Sequence, residues 1–238
     1  MLLLCIFTIA CARKALKYPA GYHEFGYVTN SKSDTVSVID LTTFQNVGTI
    51  HAGNKPTGIA INPANNEVYV VNSESNNISF IDAEKNRVVA TVGVHRTPYH
   101  ISVSQDGKRA YVANSGSANV SVLDLETRQA IAQIKVGADP VLARVSPDGK
   151  LVVVSNHVDN SISIIDTRKL AVRTTLPVCK QPQDIAILPD SSKVFVACVG
   201  SSQVAAVDLS NDRILTLLDV GKTPIDLAMK PDGGEIFV

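Results

Sequence analysis

Residues 98–137 read PYHISVSQDGKRAYVANSGSANVSVLDLETRQAIAQIKVG. Four apolar runs stand out, at 100–104, 109–114, 119–124 and 130–136, separated by QDGK, SGSA and LETRQ. They are short and rich in β-branched residues, the composition of strands. The separators are turns for a physical reason. Asp106-Gly107 suits the positive backbone angles of a tight hairpin, and Ser, Asn and Asp side chains hydrogen-bond nearby backbone groups. The stretch therefore encodes four antiparallel strands, with no helical periodicity between them.

The same stretch recurs along the chain with a period of 42 residues. Asp40, Asp82, Asp124, Asp166 and Asp208 close VSVID, ISFID, VSVLD, ISIID and VAAVD. Pro56, Pro98, Pro140, Pro182 and Pro224 keep the same step, each just before an apolar run. Asn30, Asn72, Asn114 and Asn156 form a third series, with Cys198 in the fifth slot. Three markers in one register define a structural repeat. The plain role of the aspartates is to cap the turn after the third strand.

Four antiparallel strands per repeat of this length match one propeller blade. Runs such as 151–154 and 163–165 lack polar alternation, as expected where both sheet faces are covered by neighbouring blades. The fourth strand alternates, with Gln133 and Lys135 or Arg173 and Thr175 between apolar residues, which suits an outer edge guarded against pairing.

Composition narrows the function classes. Among 238 residues, 22 are basic and 22 acidic, so the net charge is zero and the basic surface that drives nucleic-acid affinity is missing. At 45% hydrophobic and 18% charged, the chain has the apolar content to fold.

Tyr27–Asn30 spell tyrosine-valine-threonine-asparagine, with variants at Tyr69–Asn72 and Tyr111–Asn114. With Pro-x-x-Ile-Ala-Ile at 56–61 and 182–187 and Ser-Pro-Asp-Gly-Lys at 146–150, the chain from about residue 22 onward resembles the YVTN-type β-propeller repeat family. That resemblance implies an all-β propeller of usually seven blades, on surface-layer, secreted or lipid-anchored prokaryotic proteins that act as adhesion or interaction modules. Seven blades need about 294 residues, and 22–238 supplies 217. The expectation is about five blades, a fragment of a seven-bladed ring, opening on the second strand of a blade. A five-bladed ring, with 226–230 completing the first blade, is the alternative. The expected organisation is a leader over 1–12, a linker over 13–21 and repeats over 22–238. Blade boundaries fall near 54–95, 96–137, 138–179 and 180–221, with incomplete blades at both ends.

Residues 2–10, LLLCIFTIA, are too short to span a membrane and look like the end of an export signal. Thr8-Ile9-Ala10-Cys11 resembles a bacterial lipobox, which makes Cys11 the candidate lipidation site and sets the expected location as periplasmic, outer-membrane-anchored or extracellular. In such a compartment Cys179 and Cys198 are a candidate disulfide, against which stands a stagger of about four residues between their strands.

No c-type haem attachment sequence, zinc spacing, nucleophile elbow or phosphate loop is present. His23, His51, His95, His100 and His157 fall at different phases of the repeat. No cofactor is expected on these grounds. One slot, two residues after each proline, varies as Gly58, His100, Leu142, Asp184 and Asp226, and Arg144 replaces a small residue two positions further on. His100, Arg144, Asp184 and Asp226 are thus candidate contacts for an anionic or metal-bound ligand at the channel mouth. Loops 73–77, 115–119 and 157–160 are candidates for touching a partner.

The leading expectation is a non-enzymatic exported propeller that presents one rim to a protein or polysaccharide. A lactone hydrolase similar to seven-bladed phosphogluconolactonase-type propellers is one alternative. A propeller module of a periplasmic redox protein, its cofactor held by another domain, is the other.

Overall fold

The structure is a computed structural model describing residues 24–238. The expected leader, Cys11 and His23 lie outside the described residues. The first sheet has three strands, β1 (Phe25–Asn30), β2 (Thr35–Asp40) and β3 (Gln45–His51). Next comes a four-stranded sheet of β4 (Pro56–Asn62), β5 (Glu67–Asn72), β6 (Asn77–Asp82) and β7 (Arg87–Gly93). The third sheet is β8 (Pro98–Val103), β9 (Arg109–Asn114), β10 (Asn119–Asp124) and β11 (Gln129–Lys135). The fourth is β12 (Pro140–Val145), β13 (Leu151–Asn156), β14 (Ser161–Asp166) and β15 (Ala171–Pro177). The fifth is β16 (Pro182–Ile187), β17 (Lys193–Cys198), β18 (Gln203–Asp208) and β19 (Arg213–Asp219). A hairpin of β20 (Ala228–Met229) and β21 (Ile236–Phe237) follows. Each sheet is an antiparallel meander in chain order, and the second to fifth are the four-stranded blades expected from the period. The repeated prolines begin the first strand of every complete blade.

The other markers each do a local job. Asp40, Asp82, Asp124, Asp166 and Asp208 all accept backbone N–H bonds from the following turn, as Asp166 Oδ1 does from Arg168 and Lys169 at 2.9 Å. Side-chain and backbone hydrogen bonds from that turn hold the exposed carboxyls of Asp82, Asp124 and Asp166 below their usual range, and Asp208 is lowered to about 2. The asparagines form a cross-strand ladder. Asn72 Nδ2 donates to Asn77 Oδ1 and Ser79 Oγ, Asn114 Nδ2 to Asn119 Oδ1 and Ser121 Oγ, and Asn156 Nδ2 to Ser161 and Ser163 Oγ. Bulges between the third and fourth strands fall at Val38/Ile39, Phe80/Ile81, Val122/Leu123, Ile164/Ile165 and Ala206/Val207, in register with the repeat. An extra residue there re-aims the outer strand and increases its twist.

One regularity has no signature in residue type. The residue before each marker proline, Lys55, Thr97, Asp139, Gln181 and Thr223, has φ between 50° and 58°. Left-handed backbone at a side-chain-bearing residue is costly unless its surroundings fix it. Before Pro56, Pro98 and Pro182 the preceding blade does so. Asp34 Oδ1 accepts the Lys55 N–H at 2.7 Å, while Asn76 and Asn160 accept those of Thr97 and Gln181 at 2.8 Å.

The core lies between blades. Tyr69, Val71, Ile78 and Phe80 of the second sheet pack on Ile101, Val112, Leu123 and Leu125 of the third, with Val89 and Val92 at the margin. Equivalent clusters join each sheet to the next along the chain. Among the described residues, no core cluster joins the first sheet to the final hairpin.

Candidate functional site at the channel mouth

The first strands β4, β8, β12 and β16 lie side by side, so their opening residues share one channel. Approach is close at Gly58, where a Cβ would come within 2.7 Å of the Tyr99 carbonyl oxygen on the next inner strand. The slot therefore tolerates no side chain in that blade.

The structure brings the four candidate channel residues into a row. His100 lies beside Arg144, whose guanidinium donates to Asp184 Oδ1 at 3.3 Å. Asp184 Oδ2 accepts the Leu227 N–H at 2.8 Å, and Asp226 Oδ1 accepts the same N–H at 3.0 Å. Burial raises the Asp184 carboxyl, and Asp226 pushes it the same way, while Leu227, Ile185 and Arg144 oppose the shift. Burial lowers His100 to about 4, with the Arg144 charge adding to the effect. His100 Nδ1 and Arg144 Nε are buried without a hydrogen-bond partner. At neutral pH the row is a neutral imidazole, a guanidinium and an acidic pair, a surface for orienting a small polar group or a partner side chain.

His100 should leave a mark on stability. Folded, it stays neutral down to about pH 4, whereas unfolded it protonates near 6.5. As pH falls, the unfolded chain takes up that proton first, so the contribution is full above 6.5 and is lost between 6.5 and 4. The expected loss is on the order of 2–3 kcal/mol. Asp184, being raised, works in the opposite direction, keeping its proton above the usual carboxyl range and weakening the fold as pH rises through that window. Urea unfolding at pH 7, 5.5 and 4.5 should show a smaller decline for His100→Gln than for the wild type. Identical slopes would contradict the buried neutral imidazole.

The rim loops are more committed than their sequence suggests. Ser73 Oγ donates to the Lys55 carbonyl, Ser75 Oγ accepts the Asn54 N–H, and Asn76 and Asn160 hold the next blade. Val158 remains a large exposed apolar side chain on that rim.

Cys179 and Cys198 are joined as a disulfide with Cα atoms 5.7 Å apart. The stagger counted along straight strands is removed by the left-handed turn at Gln181, which folds Cys179 back over the end of β17. Among the described residues, no group of three or more His, Cys, Asp or Glu is arranged to hold a metal ion.

A family model described as the cytochrome D1 heme domain matches residues 61–194, more than half of the chain. The chain belongs to the cytochrome D1 heme domain family. A second model, a YNCE-like beta-propeller, matches residues 3–115. Among solved structures, hydrazine synthase of Kuenenia stuttgartiensis is similar at 23% identity and a TM-score of 0.78, over 88% of this chain and 68% of that one. A functionally unknown protein from Desulfotomaculum acetoxidans DSM 771 is similar at 18% identity and a TM-score of 0.79, over 89% of this chain and 71% of that one. At these identities the likeness concerns the fold. No curated protein matches the sequence.

The cytochrome D1 heme domain family implies a haem, and the channel residues do not fit one held through its iron. An axial imidazole must present a free nitrogen to the metal. His100 is the sole inner-strand histidine among the described residues. Its Nδ1 is buried against protein, and the group beside its ring is the Arg144 cation. A separate cavity of about 520 Å³, between the first two sheets, is lined by Phe25, Tyr27, Ile61, Pro63, Glu67 and Glu84 among others, with no histidine or cysteine.

Proposed function

We propose that this chain is a non-catalytic propeller module of an exported redox assembly, whose partner carries the redox group. The observation that carries the reading is the match to the cytochrome D1 heme domain over residues 61–194, combined with a channel row whose only imidazole faces a cation. The likeness to hydrazine synthase supports the redox setting, and the Cys179–Cys198 bridge supports an oxidising compartment. In this reading Arg144, Asp184 and Asp226 at the channel mouth and Val158 on the rim orient the partner. Polar and charged groups at such a surface set register and association rate more than raw affinity.

The test has two halves. Purified chain titrated with haemin should give no stoichiometric shift of the Soret band. Affinity purification from a periplasmic extract of the native host should bring down a protein with bound haem or another visible chromophore, and less of it with Arg144→Glu. A stoichiometric Soret shift for the chain alone, or co-purified proteins free of any redox group, would sink the proposal.

A further inference from the structure

We infer that the cleft between the third and fourth sheets, on the rim that carries the turns after the first and third strands, binds the phosphoryl group of a small phosphate ester. This is the rim away from the channel mouth and Val158, and the site does not depend on the redox reading. The cleft has a volume of about 460 Å³ and is lined among others by Lys108, Arg109, Tyr111, Thr167 and Arg168. Comparison with the other junctions shows what is particular to it. Between the second and third sheets, Glu67 and Arg128 meet as an ion pair at 2.7 Å. One period later the same two slots hold Arg109 and Leu170, so a cation replaces the acid and an apolar side chain replaces its partner. Arg168 takes the slot of Glu84 and Glu126, a reversal of charge. Asn62 reaches across its junction, donating from Nδ2 to the Gly107 carbonyl at 2.9 Å, whereas Ser104 in the same slot turns back to Asp106 Oδ1 at 2.6 Å and the Arg109 carbonyl at 3.0 Å.

The donors left in the cleft suit a phosphoryl group. Tyr27 donates to Asn86 Oδ1 at 2.7 Å and to the Ala83 carbonyl, and Tyr69 donates to Glu67 Oε2 at 2.9 Å. Tyr111 occupies the same slot and is 1% exposed, but the side chains in those acceptor slots are Leu170 and Arg109, which accept nothing. The carbonyl equivalent to that of Ala83 belongs to Thr167, and it accepts Arg109 Nη1 at 3.0 Å. Among the described residues the Tyr111 hydroxyl proton thus finds no acceptor, and the Arg109 cation lies near that hydroxyl. The Thr167 bond fixes the guanidinium and leaves its other N–H groups to the cleft. Among the described residues, none of Lys108, Arg109 and Arg168 forms an ion pair. Asp106 is the carboxylate in the lining, and its Oδ1 is occupied by the Ser104 hydroxyl and the Lys108 N–H. Asp124, opposite Arg109 in register, is committed to Thr127. Three cations against one lining carboxylate leave two positive charges, which match a dianion better than a carboxylate. Guanidinium forks fit phosphate oxygens geometrically as well as by charge. A cleft of this volume is in the range of small-molecule sites, and its polar walls at Ser104 and Thr167 suit a hydroxylated body carrying the phosphate.

Isothermal titration calorimetry at low ionic strength tests this, with inorganic phosphate, glucose 6-phosphate, glucose and acetate as probes. Both phosphates should bind saturably at one site per chain, the ester more tightly, while glucose gives no binding heat. Acetate should bind about tenfold more weakly than inorganic phosphate, having one charge fewer. Arg168→Glu installs the residue that two other blades carry in this slot, so the fold tolerates it, and it should weaken phosphate binding by about tenfold or more. Arg109→Gln should weaken it to a similar degree. Lys169→Glu makes the same charge change one residue along, outside the cleft lining, and should alter affinity by less than about threefold. No saturable binding of either phosphate, acetate bound as tightly as phosphate, an ester held no better than inorganic phosphate, or equal losses in Lys169→Glu and Arg168→Glu would each overturn the inference.

Discussion

Reducing the Cys179–Cys198 bridge, or replacing both cysteines with alanine, is expected to lower the unfolding free energy by about 3 kcal/mol, the size set by closing a loop of this length. The bridge spans 19 residues. It stands where other blades have a non-covalent contact. Gly53 and Gly137 occupy the position of Cys179, and a Cβ on either would lie 2.7 Å from the side chain of Asn72 or Asn156, which occupy the position of Cys198. Those asparagines hold the blade through their amide ladder, yet each leaves a buried Oδ1 without a partner. In the bridged blade the ladder positions are Gln203 and Ala205, so the covalent link replaces a half-satisfied polar one. The triple variant Cys179→Gly, Cys198→Asn, Ala205→Ser rebuilds the ladder and should recover part of the loss. Urea denaturation with and without reductant measures both effects. A wild-type midpoint indifferent to reductant would refute the first, and a triple variant no better than the double alanine variant would refute the second.

Phe80→Ala is expected to cost about 3–5 kcal/mol, in the range for emptying a buried aromatic site. The ring is fully buried, edge-on to Tyr69 with centroids 4.8 Å apart and planes at 65°. Over it sits the Arg128 guanidinium of the next blade, 5.8 Å from the centroid. That guanidinium also meets the buried Glu67 carboxylate at 2.7 Å, and Glu67 accepts the Tyr69 hydroxyl, whose pKa burial pushes up to about 12. Removing the ring therefore opens a cavity and takes away the platform that steers Arg128 between two blades. Arg128→Gln leaves the cavity unopened and the carboxylate dependent on Tyr69, with an expected loss of about 1–3 kcal/mol. Equal losses for the two variants in chemical denaturation would show that the ion pair, not the packing, dominates this junction.

The repeat was legible because it is written in residue types with narrow backbone roles. Proline begins an inner strand, Asp-Gly makes a hairpin and Asp caps the turn after the third strand, so spacing alone located the blades. The channel row was legible for the same reason, since His100, Asp184 and Asp226 fill one slot and Arg144 a neighbouring one. Their order along the row needed coordinates, because the partner of each lies on an adjacent blade. Two other features left no local trace. The left-handed residues before the prolines are Lys, Thr, Asp, Gln and Thr, and at Lys55, Thr97 and Gln181 the conformation is held by an acceptor 21 positions earlier and not by the residue's own preference. The Phe80, Arg128 and Glu67 group breaks the repeat, as Val122, Ile164 and Ala206 replace the phenylalanine elsewhere, so periodicity hides it.

The acceptors that fix the turns before Pro56, Pro98 and Pro182 have a consequence for synthesis. Asp34, Asn76 and Asn160 belong to the blade before the one they position, and they leave the ribosome first. The blades that open at Pro56, Pro98 and Pro182 therefore each meet a ready template for the opening turn, and at those junctions register is handed forward in the direction of translation. A chain built this way avoids searching among near-identical neighbours, the misassembly to which repeat proteins are prone.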